Sequence, residues 1–249
     1  MSHTLTAKEQ SLAKIFSDDY VFTIPGYQRP YAWGKEQAQE LLDDLLGAMA
    51  TAPEQISEAA PYFLGSIVLI KSEAQSEATV VDGQQRLTTL MLMLACIRDR
   101  VTDDKLKGAC REMLFQEENK WKKIPGRNRI VYDIRDNVGA FIERYIKTDD
   151  GSRSMDLSGI AASKNLSLAN MAAGMQTIHA SFDDTGRFPT AADFDRFVGY
   201  LLNNALFIYV STEDLDDAFR LFTILNDRGI PLSNSDILKA KNLGAISKD

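Results

Sequence analysis

The segment 80-VVDGQQRLTTLMLMLACI-97 constrains the fold more than any other part of the chain. From Leu87 onward the run is almost unbroken in its apolar character, so a helix built from it is hydrophobic all round rather than along one stripe. Such a helix sits inside a domain with other elements packed about it. Three large polar side chains, Gln84, Gln85 and Arg86, nevertheless stand at its threshold, behind two β-branched residues and an Asp82-Gly83 turn. Strand, turn and helix in that order expose backbone N–H groups at a helix start, where the dipole favours an anion. Gly83 lets a ligand approach the backbone, and Arg86 adds a planar, permanently charged donor suited to phosphate. A cation in the first turn opposes the helix dipole, and a residue set against its local preference tends to answer to a ligand or partner. The plainer alternative is that Asp82 caps the helix and Arg86 pairs with a carboxylate. On this stretch alone the two readings weigh equally.

Hydrophobic spacing lays out the elements around that helix. Thr6-Ala-Lys-Glu9 reads as a capping box, opening a first helix buried through Leu12, Ile15 and Phe16. A short β-like run from Tyr20 is halted by Pro25-Gly26, and Ala38, Leu41, Leu42, Leu45 and Met49 mark the next helix. The segments 62-YFLGSIVLI-70 and 79-TVV-81 predict two strands of a hairpin about a polar turn. A helix is expected over Asp133–Thr148, with Ile134, Val138, Phe141, Ile142 and Tyr145 on one face. A loop is expected over 149–165, then a helix through Leu168–Phe182 and another opened by the capping box Thr190…Asp193. A strand at 205–212 and a helix through Leu215–Phe222 follow, ending in the breaker-rich turn 225-LNDRGIPLS-233. The pattern predicts an α+β fold, with residues 1–100 and 205–249 forming the core and 101–204 a helical insertion or subdomain.

Composition narrows the function classes. A net charge of −7 argues against a uniformly basic DNA-coating protein. With His3 and His179 as the only histidines, and two cysteines in unlike settings, a Cys/His zinc site, a His-based nuclease and a disulfide framework are all disfavoured. No basic, apolar leader opens the sequence and no apolar run reaches the roughly 18 residues of a bilayer span, so a reducing cytoplasm is the expected setting.

Three further stretches carry candidate chemistry. In 24-IPGYQRPYAW-33, Gln28 and Arg29 lie between tyrosines in a proline-framed turn. Aromatic rings there could stack on a base, although core packing is the plainer role for Tyr27, Tyr31 and Trp33. In 222-FTILNDRGIPLSNSDILKAK-241, helix-end chemistry accounts for Asn226, Gly229 and Ser233 better than for Arg228, Asp236 and Lys239. The run from Lys120 to Arg129 sets five basic residues around Trp121 in an acidic chain, a candidate contact for nucleic-acid backbone.

IPGYQRPYAW, VVDGQQRLTTL and FTILNDRGIPLSNSDILK, in that order, together resemble the N-terminal domain of the GmrSD-type modification-dependent restriction enzymes, over roughly residues 10–243. The resemblance implies a ParB/sulfiredoxin-like core and a bacterial defence protein that binds and hydrolyses nucleoside triphosphates with Mg²⁺ while sensing or cutting foreign, modified DNA. Its motifs fall on Asp82, Gly83, Gln84, Gln85 and Arg86, on Gln28, Arg29 and neighbouring Tyr31, and on Asn226, Arg228, Gly229 and Asp236. Gly83 and the helix start are expected to hold β- and γ-phosphates, and Arg29 or Arg86 to stabilise transition-state charge. Asp82 is expected to hold Mg²⁺ through water or orient the attacking water, and a glutamine to position that water. No G-x-x-x-x-G-K-[ST] loop is present, which excludes a P-loop enzyme. Family members commonly continue into a His-Asn-His nuclease domain, absent from this sequence, so cutting is expected to reside in a further domain or partner. The rival readings are a metal-dependent ParB-like DNA nickase and a non-catalytic nucleotide- or DNA-binding module.

Overall fold

The computed structural model describes residues 5–53, 55–133 and 137–225. It is a mixed α+β fold. In chain order, β1 (Thr6–Ser11), α1 (Leu12–Ile15) and β2 (Val21–Ile24) precede α2 (Lys35–Ala50). Then come β3 (Tyr62–Ile70), β4 (Glu77–Asp82), the apolar helix α3 (Gln84–Arg100) and α4 (Asp104–Leu114). Short strands β5 (Phe115–Gln116), β6 (Arg127–Asn128) and β7 (Ile130–Tyr132) lead to α5 (Val138–Phe141) and α6 (Leu157–Ala161). The long helices α7 (Leu166–Phe182) and α8 (Ala191–Asn203) precede β8 (Ala205–Thr212) and α9 (Leu215–Leu225).

Six strands form one sheet in the order β1-β8-β3-β4-β2-β7. β3 and β4 pair antiparallel as a hairpin, while β3 with β8, and β2 with both β4 and β7, are parallel. Side-chain alternation divides the sheet between two faces. Ile67, Leu69 and Val80 join the main core with the helices, whereas Val68 and Val81 pack against Ala218, Phe219 and Phe222 of α9. α3 runs through the main core, and Leu87 to Asp99 are all buried. The 101–204 segment adds helices to that core and also supplies the sheet's edge strand β7.

Three local expectations are corrected. Thr6–Ser11 is a strand, antiparallel to β8 from Thr6↔Ser211 to Ser11↔Leu206, not the start of a helix. Without it β8 would present an open row of N–H and C=O groups, and that ladder outweighs a local capping box. The helix begins at Leu12, where Ser11 Oγ accepts from the Lys14 amide at 3.4 Å. The segment 149–165 is not a plain loop: it holds a 3₁₀ turn at Gly151–Arg153 as well as α6. In Asp133–Thr148, Asp133 is not helical, its amide donating to Ile24 O at 3.0 Å. α5 there passes into a π-helical stretch, Ile142–Lys147, and Ile134 lies outside the described residues. The Thr190 capping box forms as expected, with Thr190 Oγ1 accepting from the Asp193 amide.

A buried polar cluster explains the 3₁₀ turn. Arg98 is fully buried and donates to both carboxylate oxygens of Asp99 at 2.6 and 2.9 Å, and to the carbonyls of Ile146 and Thr148. Asp99 also accepts from the amides of Asp150 and Ser152 and from Ser152 Oγ at 2.6 Å. Ser152 Oγ lies 2.9 Å from His179 Nε2 on α7. Burial, with Arg153's charge added, pulls His179 down from 6.5 to about 4. Between those values the unfolded chain binds a proton that the folded chain does not, so stability falls as pH drops through that window. Denaturant titrations from pH 7 to 4 are expected to show roughly 3 kcal/mol of loss, largely absent in His179→Gln. An equal slope in that variant would assign the effect to other groups.

Candidate functional site

The junction between β4 and α3 gathers most of the sequence-nominated residues. Gly83 takes a left-handed conformation, φ 96°, and starts α3 without a side-chain cap. A Cβ on it would meet Ile67 Cγ2 at 2.6 Å, so its lack of a side chain answers first to close packing of the helix start on β3. Gly83→Ala is expected to cost about 2–4 kcal/mol, from left-handed strain plus overpacking, read as a lowered midpoint in urea.

The polar threshold of α3 is engaged by the chain's own loop. Gln85 Oε1 accepts from the amides of Ala32 and Trp33 at 2.8 and 3.1 Å, and its Nε2 donates to Pro30 O at 3.2 Å. Gln84 Nε2 donates to Arg29 O at 2.7 Å. From the loop side, Gln28 Nε2 donates to Val81 O at 2.6 Å. Prolines at 25 and 30 keep this segment out of regular ladders, and three carboxamides satisfy backbone groups that must find partners somewhere. Tyr31 is buried, its hydroxyl 2.9 Å from Thr89 Oγ1. Arg29 is left exposed at the loop's crest.

Arg86 stands apart from the glutamines. Among the described residues it makes no hydrogen bond and no ion pair; its Cζ lies 5.8 Å from the Trp33 ring centroid. Its guanidinium rests over Gly65 of β3, where a Cβ would come within 2.9 Å of Nη1. Gly65 has φ 96° and lies at a register shift against β8. Burial lowers the proton affinity of Arg86, offset by the nearby charge of Asp82. Burial likewise pushes the Asp82 carboxyl up, opposed by the Gly83 amide and the charges of Arg86 and Arg29. Thus neither the capping role for Asp82 nor an ion pair for Arg86 is formed; the two share a partly desolvated corner.

Asp82, Gly83, Arg86 and Arg29 therefore come together, while Gln28, Gln84 and Gln85 shape the loop beside them. A cavity behind this loop, lined by Arg29, Tyr31, Gln84 and Tyr132, measures about 40 Å³. That is room on the scale of a single water, so this cavity does not take a nucleotide-sized ligand. Asn226, Arg228, Gly229 and Asp236 lie outside the described residues. Gly65 and Trp33, which seat Arg86, were not nominated from sequence. The signal for Gly65 was an isolated glycine inside the apolar strand 62-YFLGSIVLI-70, a pattern that marks close approach of another group.

A six-stranded mixed sheet with helices packed on it, which sets Asp82 at the end of β4 and Arg86 in the first turn of α3, defines an α+β domain. The chain belongs to the family described as GmrSD restriction endonuclease, N-terminal domain, whose model matches residues 12–243. It is a restriction-system protein. No curated protein matches the chain. Among the described residues no helix is long and apolar enough to cross a membrane.

Proposed function

We propose that the β4–α3 corner binds a nucleoside triphosphate and promotes its hydrolysis, in a protein that senses or restricts modified foreign DNA. The observation that carries this reading is Arg86, a cation drawn partly out of water that makes no hydrogen bond or ion pair among the described residues, with Asp82 acting on it only through space. A charge so placed costs free energy until an anion meets it. Phosphate oxygens near the first turn of α3 would supply that anion, favoured by the helix dipole. Arg86 and exposed Arg29 would neutralise charge developing on the transferred phosphoryl group. Asp82, its proton affinity raised by burial, would orient the attacking water or accept its proton. Gln84 and Gln85 would act through the loop they hold, Gln84 by fixing the backbone of Arg29.

Mg²⁺ is usually held by one or two carboxylates together with substrate phosphates, and Asp82 is the carboxylate beside Arg86 at this corner. Asp82 would hold it, and the ion would supply charge neutralisation on the phosphates.

Phosphate release from ATP, GTP, UTP and CTP, with and without DNA, tests the proposal. Turnover is expected for at least one nucleotide and is expected to fall sharply in Asp82→Asn while nucleotide binding persists. Saturable binding without turnover would favour the non-catalytic module. Conversion of supercoiled plasmid without nucleotide would favour the nickase.

A further inference from the structure

The basic run 120–129 is divided by the structure into a foot and a tip. At the foot, Arg127 donates to Glu77 Oε1 at 2.6 Å and to Gln116 Oε1 at 2.7 Å. Arg129, 3% exposed, donates to Asp18 Oδ1 at 2.6 Å. These two arginines anchor the β5–β6 hairpin.

The tip is Lys120-Trp121-Lys122-Lys123, closed by reciprocal bonds between the backbones of Asn119 and Ile124 at 2.8 and 3.0 Å. Asn119 Oδ1 further accepts from the Lys122 amide at 3.0 Å. Trp121 is 98% exposed, and all three lysines are exposed. Among the described residues none of these lysines makes an ion pair. Lys123 adopts φ 55°, a left-handed conformation that a glycine would take without strain. A built turn that holds a lysine under strain and a bare indole in water is shaped by what it presents rather than by its own stability. Glu117 and Glu118, exposed on the rising side, confine the positive charge to the tip of a chain whose net charge is −7.

We propose that this hairpin is a DNA-contacting wedge, with Trp121 stacking on a nucleobase and Lys120, Lys122 and Lys123 on the adjoining phosphates. Three lysines suit a phosphate backbone and a free indole suits an unstacked base face, since every base offers a π surface. An apolar wedge entering a base step opens it, and the lysines hold the strands on either side. The occupant is duplex DNA, bound most tightly where a step is already weakened. The inference rests on membership of a restriction family and on the hairpin's geometry, and is independent of nucleotide hydrolysis at the β4–α3 corner.

Anisotropy titrations of labelled duplexes, fully paired and with one mismatch, test it in wild type, Trp121→Phe, Trp121→Ala and the triple Lys120→Gln/Lys122→Gln/Lys123→Gln variant. Trp121→Ala is expected to bind about 10-fold or more weakly, with the larger loss on mismatched DNA, and Trp121→Phe to retain most affinity. The triple variant is expected to reduce the slope of log affinity against log salt by about 2–3. Equal affinity and slope in all four proteins, or no DNA binding by wild type, would overturn the wedge and leave a protein partner as the occupant. Nucleotide turnover without DNA, measured in parallel, is expected to be unchanged, so failure of the wedge is distinct from failure of the nucleotide site.

Discussion

Arg86→Ala is expected to lower nucleotide turnover on the order of 10³-fold, with a thermal midpoint equal to wild type or slightly above it. The two halves of this expectation have one cause. Among the described residues Arg86 has no hydrogen bond or ion pair to lose, so truncation relieves the cost of a partly desolvated charge, which offsets the lost attraction to Asp82 and the lost contact with the Trp33 ring. A residue kept for the fold would show the opposite sign, with stability lost and turnover falling only as protein unfolds. Arg86→Lys keeps charge but loses the planar fork, and is expected to recover only part of the rate. Gly65→Ala provides an independent arm. Its Cβ would displace a guanidinium now 2.9 Å away, so turnover should fall with Arg86 still present. Wild-type turnover in Arg86→Ala would remove the basis for the site.

The second large effect concerns stability. Asp99→Ala is expected to cost about 3–5 kcal/mol, because it leaves the fully buried Arg98 with only the part-exposed Asp149, 3.6 Å away, as a counter-charge. Burial would raise the Asp99 carboxyl, yet Arg98 and Ser152 together hold it below the usual carboxylate range. Against a total of roughly 5–15 kcal/mol for a domain, the loss should be plain as a shift in urea midpoint with little change in slope. The double variant Arg98→Met/Asp99→Ala is expected to cost less than the two single losses added, since the uncompensated charge goes as well. Simple additivity would show that the pair is not coupled.

Much of the architecture was legible because its causes are local. The hairpin of β3 and β4, the helices α2, α7 and α8, and the strand β8 follow from apolar spacing and turn chemistry over a dozen residues. Thr190 and Asp193 formed their capping box because both partners lie within one turn. The Asp82-Gly83-Arg86 corner was legible for a similar reason: strand, left-handed glycine and helix are consecutive. Gln84 and Gln85 were nominated for a ligand because their partners, the backbone groups of residues 29–33, lie more than fifty positions away. Nothing in the sequence around 84 announces them. Lys120–Arg129 likewise read as one basic run, and tertiary partners, Glu77 and Gln116 for Arg127 and Asp18 for Arg129, set its anchoring arginines apart from its exposed lysines.

By itself the sequence determined the class of fold, the buried course of α3 and the junction that brings Asp82, Gly83 and Arg86 together, since periodicity and backbone chemistry act between neighbours. Tertiary structure decided whether Thr6–Ser11 became strand or helix, which polar side chains of the junction serve the loop, and which cation is left unpartnered. Those outcomes depend on pairing between distant segments. A hydrogen bond or a counter-charge from across the sheet outweighs a local preference that is worth only a fraction as much.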